Sequence, residues 1–431
     1  LLLVGGAQSL LPVNEDLGPA RTAVIDGARV VTRTGLGEQQ MMYDLSRLRW
    51  REVGEAFAFA PVTAGDSGLA SWATIVVAED ENGALQWPFH LVVSKWEATT
   101  EGRERAFPQR KGRCGENFAW NPENAAAKAH DVGFGNLVAW LEAPTADLST
   151  FTAAPPYRLR LGRWKDDASD VLEGKREVSQ PEVACVSLGD PSFPASIVSD
   201  QAGPAVALAR DAAAGVWVEF ESDKTTREAA LTAYGCGTSG EESYVGKPVY
   251  SKVDAAGVTT PVRAGANHLA RSVSVGHVTV TNGRVAHVLL EEGCQRHSDV
   301  RLKLWRIDVP NSGSPTTQDE LLVDPVDGHV TGSVTLTESS FAIVDNVPWL
   351  LFGARCNGGC TPAVDGLYVC PLREKGGKWV CAQPPASLKL PGASRLSSGS
   401  LSAEGKAVFL SDEADLAAVI VYDVRSRSRP V

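Results

Sequence analysis

One pattern of apolar and polar positions returns along this chain: a turn residue, then apolar residues in alternation or in a short run. It is seen in GARVVTRT, WATIVVA, GNLVAWLE, GPAVALAR, GRVAHVLL, NVPWLLFG and GKAVFLSD, which begin at Gly27, Trp72, Gly135, Gly203, Gly283, Asn346 and Gly405. Period-two alternation over short segments predicts strands with a buried face. A second alternating segment precedes several of these phrases. In HVTVTNGRVAHVLLEE, which begins at His277, the two segments flank Asn282 and Gly283, residues that tolerate the positive φ of a tight hairpin turn. FAIVDNVPWLLFG puts Asp345 and Asn346 at the turn, SLSAEGKAVFLSD puts Glu404 and Gly405 there, and SIVSDQAGPAVALAR repeats the layout. Antiparallel pairs are the expectation.

A third apolar run follows after a loop of variable length, in MMYDLSRLRW, WPFHLVVSKW, PYRLRLGRW, GVWVEFES, VRLKLWRIDV, GLYVCPL and AAVIVYDV. Three of these end in Trp50, Trp96 and Trp164, which read as aromatics packed between neighbouring sheets. Units of three to four antiparallel strands, repeated seven times at intervals of roughly 60 residues, resemble an all-β fold, the β-propeller with radial blades around a channel. The whole chain, residues 1–431, is read as one such domain. In repeat style it is similar to divergent bacterial propellers, since SLSAEGKAVFLSD resembles the Ser-Asp-Gly-Lys hairpin of TolB-like repeats and LLLVGG has a kelch-like double glycine. There is no Trp-Asp repeat ending, no regularly repeated kelch double glycine beyond LLLVGG and no sialidase-type Asp box. A β-helix would need much shorter coils, and tandem sandwiches would need roughly seven strands per hundred residues. The last unit ends in RSRSRPV and LLLV has no partner of its own, so Leu1–Val4 is expected to pair with the final blade and hide its edge.

Composition narrows the setting. With 43% apolar and 22% charged residues the chain has material for a large core. The net charge of −11 argues against a nucleic-acid surface, which is usually basic. No apolar stretch approaches the roughly 20 residues of a membrane-spanning helix. The start at Leu1 suggests a processed N-terminus with LLLV as a signal-peptide remnant, and the two Met and absent Asn-X-Ser/Thr acceptors suggest a bacterial product.

The eight cysteines are Cys114, Cys185, Cys236, Cys294, Cys356, Cys360, Cys370 and Cys381. Their even number favours disulfides and so an oxidising place: secreted, periplasmic or cell surface. Cys356 pairs with Cys360 across a CNGGC loop, and Cys370 with Cys381 across the hairpin turn of VCPLREKGGKWVC. A zinc site built from these last four is the rival, although only Cys356 and Cys360 have the close spacing of a zinc knuckle. Pairings among Cys114, Cys185, Cys236 and Cys294 are left open.

Chemical motifs do not assemble. GDSGL, Gly65–Leu69, lacks the preceding histidine of a trypsin-like serine site. GCGTSG, Gly235–Gly240, fits a dinucleotide-loop pattern, but SYVGKPVYSKV after it reads as a strand, where the motif needs a helix N-terminus. His287 and His297 with Cys294 between them do not make a metal set, and His287 reads as a sheet-facing imidazole. The acidic groups Asp166, Asp167 and Asp170, and Asp324 and Asp327, lack EF-hand spacing. No catalytic, cofactor or metal residue is therefore assigned, and no cofactor is expected. The one basic stretch, GRERAFPQRKGR, offers Arg103, Arg105, Arg110, Lys111 and Arg113 as a partner-binding loop. The sequence points to a secreted or surface propeller that binds a protein or polysaccharide without catalysis, as a component of a surface assembly. A glycan-active glycosidase or lyase using channel carboxylates is the alternative.

Overall fold

The computed structural model describes side chains over residues 225–236 apart from 227, and over 245–250, 261–294, 299–388, 399–408 and 421–425. Elsewhere it describes backbone within strands and helices only. Among the described residues the chain is built of antiparallel β-sheet, with one α-helix at Lys224–Ala233.

Successive strands pair with their sequence neighbours. Ala20–Asp26, Arg29–Thr34, Gln39–Asp44 and Arg49–Glu55 form one four-stranded meander. His130–Gly133, Leu137–Glu142, Arg158–Arg163 and Ala184–Val186 form another. A longer hydrogen-bonded set contains His268–Val280, Gly283–Glu292, Arg301–Pro310 and Thr316–Val323, then Thr331–Val344, Val347–Thr361, Asp365–Lys375 and Lys378–Cys381. These last two meanders are joined by a single parallel pair, Val323 with Trp379.

The first strands touch in a closed cycle. Ala20–Asp26 contacts Thr63–Ala64, and contact passes in turn to His130–Gly133, Ala207–Leu208, His268–Val280, Thr331–Val344, Leu396–Leu401 and back to Ala20–Asp26. The fold is an all-β propeller. The final sheet is completed from the other end of the chain, because Gln8–Leu10 pairs with Ile420–Tyr422. This corrects the expectation for Leu1–Val4: Leu2–Leu3 is the outermost strand and pairs with Ser9–Leu10, so it reaches the final sheet only through that strand.

The apolar cores lie between sheets. Val288, Leu290, Trp305 and Ile307 pack with Tyr250 and Ala264 on one side. Leu289, Leu302 and Leu304 pack on the other side with Leu350, Phe352 and Tyr368. Leu351, Leu367 and Val369 then meet Leu401, Ala407 and Tyr422. Adjacent residues of one strand thus enter different cores, which explains why VAHVLL and PWLLF are nearly continuous apolar runs where a one-faced strand would alternate. Each fully buried large apolar side chain contributes about 1.5–3 kcal/mol.

Two hairpin turns differ from the sequence reading. Val280 pairs with Gly283, so Thr281 and Asn282 make the turn one residue earlier than Asn-Gly implied. Gly283 is required by its neighbours, since a Cβ there would sit 2.8 Å from the Pro310 Cα and closer still to the Val309 carbonyl. In the last sheet the turn centres on Ala403 and Glu404, with Gly405 at φ 77° behind them. By contrast Asp345 and Asn346 occupy their turn as read, with φ of 49° and 65° between paired Val344 and Val347.

Candidate functional site

Second strands end, and third strands begin, at one rim of the ring. Two described features meet there: a buried histidine cluster and the projecting end of the longest hairpin.

His268 opens its strand with an inaccessible imidazole. Its Nδ1–H donates to Glu292 Oε1 at 2.6 Å and its Nε2–H donates to Glu320 Oε2 at 2.9 Å. Lys303 Nζ lies 3.4 Å from Glu292 Oε1, and the Gly265 amide donates to Glu320 Oε1 at 2.6 Å. Glu292, Lys303 and Glu320 stand on three different strands of one sheet, whereas Gly265 comes from the segment ahead of it. Burial alone would lower the His268 pKa, but its hydrogen bonds to the two carboxylates and their charges outweigh burial and raise it. Burial likewise works to raise Glu292 and Glu320. His268 prevails in both, helped by Lys303 at Glu292 and by the Gly265 amide at Glu320, so both carboxyls fall below their ordinary value. Tyr234, at the end of the helix, is pushed well above the usual phenol value by burial, with the Glu292 charge adding to it.

The cluster is an ionised Glu–His–Glu bridge. Both imidazole nitrogens donate, which leaves no lone pair to take a proton, so the arrangement ties elements together and does not supply a general base. The helix is held to the same place by the Cys236–Cys294 disulfide, and Gly235 at φ 69° ends it with the Cys236 amide on the Leu231 carbonyl at 2.9 Å. Sequence reading missed both the helix and the cluster. The helix, KTTREAALTA, has a run of good helix formers as its signal. For the cluster the one signal is the pair Glu291–Glu292 closing an apolar run.

The other feature is the hairpin of Thr331–Val344 and Val347–Thr361. Its far end is exposed at Thr331, Gly332 and Ser333 on one strand and at Arg355, Asn357, Gly358 and Gly359 on the other. Asn357 donates to Thr335, and Arg355 lies 4.0 Å from Asp299. Cys356 and Cys360 are joined here.

The structure also joins Cys370 to Cys381 across the Gly376–Gly377 turn. With both pairs oxidised, these four sulfurs supply no thiolates to zinc. Asp324 and Asp327 are both ion-paired with Lys378, at 3.6 and 3.1 Å. His287 is buried edge-on against Trp379, with ring centres 5.6 Å apart. Among the described residues no group of three or more potential metal ligands occurs. Arg103, Arg105, Arg110, Lys111, Arg113, Cys114, Asp166, Asp167, Asp170 and His297 lie outside the described residues, as do the side chains of Trp50, Trp96, Trp164 and Cys185.

No protein-family model and no curated protein matches the chain. Among solved structures it is similar to the Cps50 (Swd1) beta-propeller domain of Myceliophteria thermophila, at 8% identity and TM-score 0.43 over 97% of this chain and 99% of that one. YCF48 from Cyanidioschyzon merolae is similar at 10% identity and TM-score 0.43, over 96% and 98%. The intramolecular trans-sialidase from Ruminococcus gnavus is similar at 11% identity and TM-score 0.39, over 99% and 100%. Likeness at this level assigns no family and no activity. Function has to be argued from this chain's own residues.

Proposed function

We propose that this chain is a seven-bladed binding propeller of the cell surface or an extracytoplasmic space, one domain that recognises a protein or polysaccharide partner without catalysis. The exposed hairpin end around Asn357 carries the reading. It projects polar side chains and backbone from a rigid sheet, and disulfide Cys356–Cys360 holds its shape, an arrangement suited to recognition. The rim's described carboxylates around His268 are engaged in structure: buried Glu292 and half-buried Glu320 hold His268, while buried Glu291 accepts from Ser339. The three disulfides among the described residues support an oxidising compartment.

Assay of the purified protein on glycan and peptide panels is expected to show no turnover, with a glycan array or a surface-fraction ligand giving saturable binding. Turnover abolished by one carboxylate substitution would overturn the proposal in favour of a glycan-active enzyme.

A further inference from the structure

We propose that Cys356–Cys360 is a thiol-exchangeable bridge, a site of reversible cysteine modification at the exposed end of the Val347–Thr361 hairpin. The described disulfides differ sharply in access. Cys236, Cys294, Cys370 and Cys381 are each at most 7% exposed, whereas Cys356 and Cys360 are half-buried among exposed Arg355, Asn357, Gly358, Gly359 and Thr361. Exchange requires a thiolate to reach a sulfur directly, so access selects which bridge reacts.

What each bridge encloses differs too. Cys236–Cys294 spans 58 residues and anchors the helix, and Cys370–Cys381 lies in the core between sheets. Cys356–Cys360 spans 4 residues and staples a local irregularity in the ladder. Val334 pairs with Cys356, Ser333 with Gly358 and Thr331 with Thr361, so the second strand bulges against the first. Opening this bridge frees the bulge only, because the strands pair in register from Val334–Cys356 to Leu336–Ala354 and, after one further shift, from Glu338–Gly353 inward, while the Cys356 amide still donates to the Val364 carbonyl at 2.9 Å.

The exchange balances with an external dithiol as reductant. Its first thiolate attacks one protein sulfur, the protein S–S bond breaks, and the other cysteine leaves as thiolate. The second thiolate of the reagent then displaces the mixed disulfide, so the reagent is oxidised to its own disulfide and the protein gains two thiols. Cys360 Sγ lies 3.2 Å from the Ser333 carbonyl, an acceptor for S–H once the bridge is open. This proposal does not depend on the binding role.

The test treats the folded full chain with dithiothreitol, quenches with an alkylating reagent at timed intervals and maps the labelled peptides. Cys356 and Cys360 are expected to label at least about tenfold faster than Cys236, Cys294, Cys370 and Cys381, and to re-form their bridge on removal of the reductant. A Cys356→Ser/Cys360→Ser double variant should keep a cooperative melt, which would show that labelling at this place does not require unfolding. Simultaneous opening of all the mapped bridges, or a Cys356–Cys360 bridge that stays closed until the protein unfolds, would overturn the proposal.

Discussion

Glu291 and Glu292 are neighbours in sequence and grip opposite sides of their sheet. Glu292 accepts from His268 at 2.6 Å, on the face that packs with Tyr250, whereas Glu291 accepts from Ser339 Oγ at 2.7 Å in the following meander and lies 3.2 Å from Arg271 Nε. Strand alternation sends the two carboxylates apart, so a single dipeptide holds His268 within its own meander on one face and ties that meander to the following one on the other.

The Glu–His–Glu bridge gives stability a defined pH dependence. Because the folded pKa of His268 is raised from 6.5, its contribution is complete below that value and is lost as pH rises through the raised one. The folded values of Glu292 and Glu320 are lowered from 4.5, so their contribution is complete above 4.5 and is lost as pH falls through the lowered values. Melting temperature against pH should form a plateau between these limits. His268→Phe should flatten the alkaline side and cost about 1–3 kcal/mol near neutrality, because it removes two charge-assisted hydrogen bonds while Glu292 keeps Lys303 and Glu320 keeps the Gly265 amide. An unchanged pH profile in that variant would remove the bridge from the account.

Gly283→Ala should destabilise by about 2–4 kcal/mol, since the new Cβ has no room beside Pro310 and the Val309 carbonyl. Gly377→Ala, at φ 75° with nothing within 4 Å of the Cβ, carries only the left-handed strain of about 1–2 kcal/mol. Denaturant unfolding of both variants would check the order, and equal losses would contradict the steric argument.

Asn346 acts at the opposite rim. Its side chain accepts from the Thr279 amide at 2.6 Å and donates to the Thr279 carbonyl at 3.0 Å, while Asp345 takes Arg425 with both oxygens, at 2.8 and 3.0 Å. Asn346→Ala loses two hydrogen bonds and a favoured left-handed residue, so it should cost about 1–3 kcal/mol by chemical unfolding. A loss under about 0.5 kcal/mol would show that this turn is not a tie between sheets.

The strands were legible because alternation and apolar runs report burial directly, and Cys370–Cys381 was legible because its hairpin turn brings the two residues near each other on adjacent strands, Cys381 facing Leu372 two positions from Cys370. The cause of Gly283 was not legible: its demand comes from the strand of Arg301–Pro310, not from its own turn. His268 was equally hidden, since its partners arrive from separate strands and only the folded register brings them within hydrogen-bond reach. Cys236–Cys294 required the helix, whose sequence lies between apolar runs and carries no strand pattern.

Loop length ranks the disulfides. By chain entropy, loss of Cys236–Cys294 should cost about 4 kcal/mol and loss of Cys356–Cys360 about 2 kcal/mol. Thermal melts of the two Cys→Ser double variants would check the ranking, and the reverse order would contradict it.

The central claim is that one rim carries recognition. Binding of a surface-fraction or glycan-array ligand should be compared for the wild type, for Arg355→Glu/Asn357→Ala at the proposed rim and for Val280→Lys at the opposite one, where Val280 is exposed. A dissociation constant raised at least about tenfold, or 1.4 kcal/mol, by the first variant and unchanged by the second is the expected result. Equal affinities in all three, or loss only with Val280→Lys, would contradict the account.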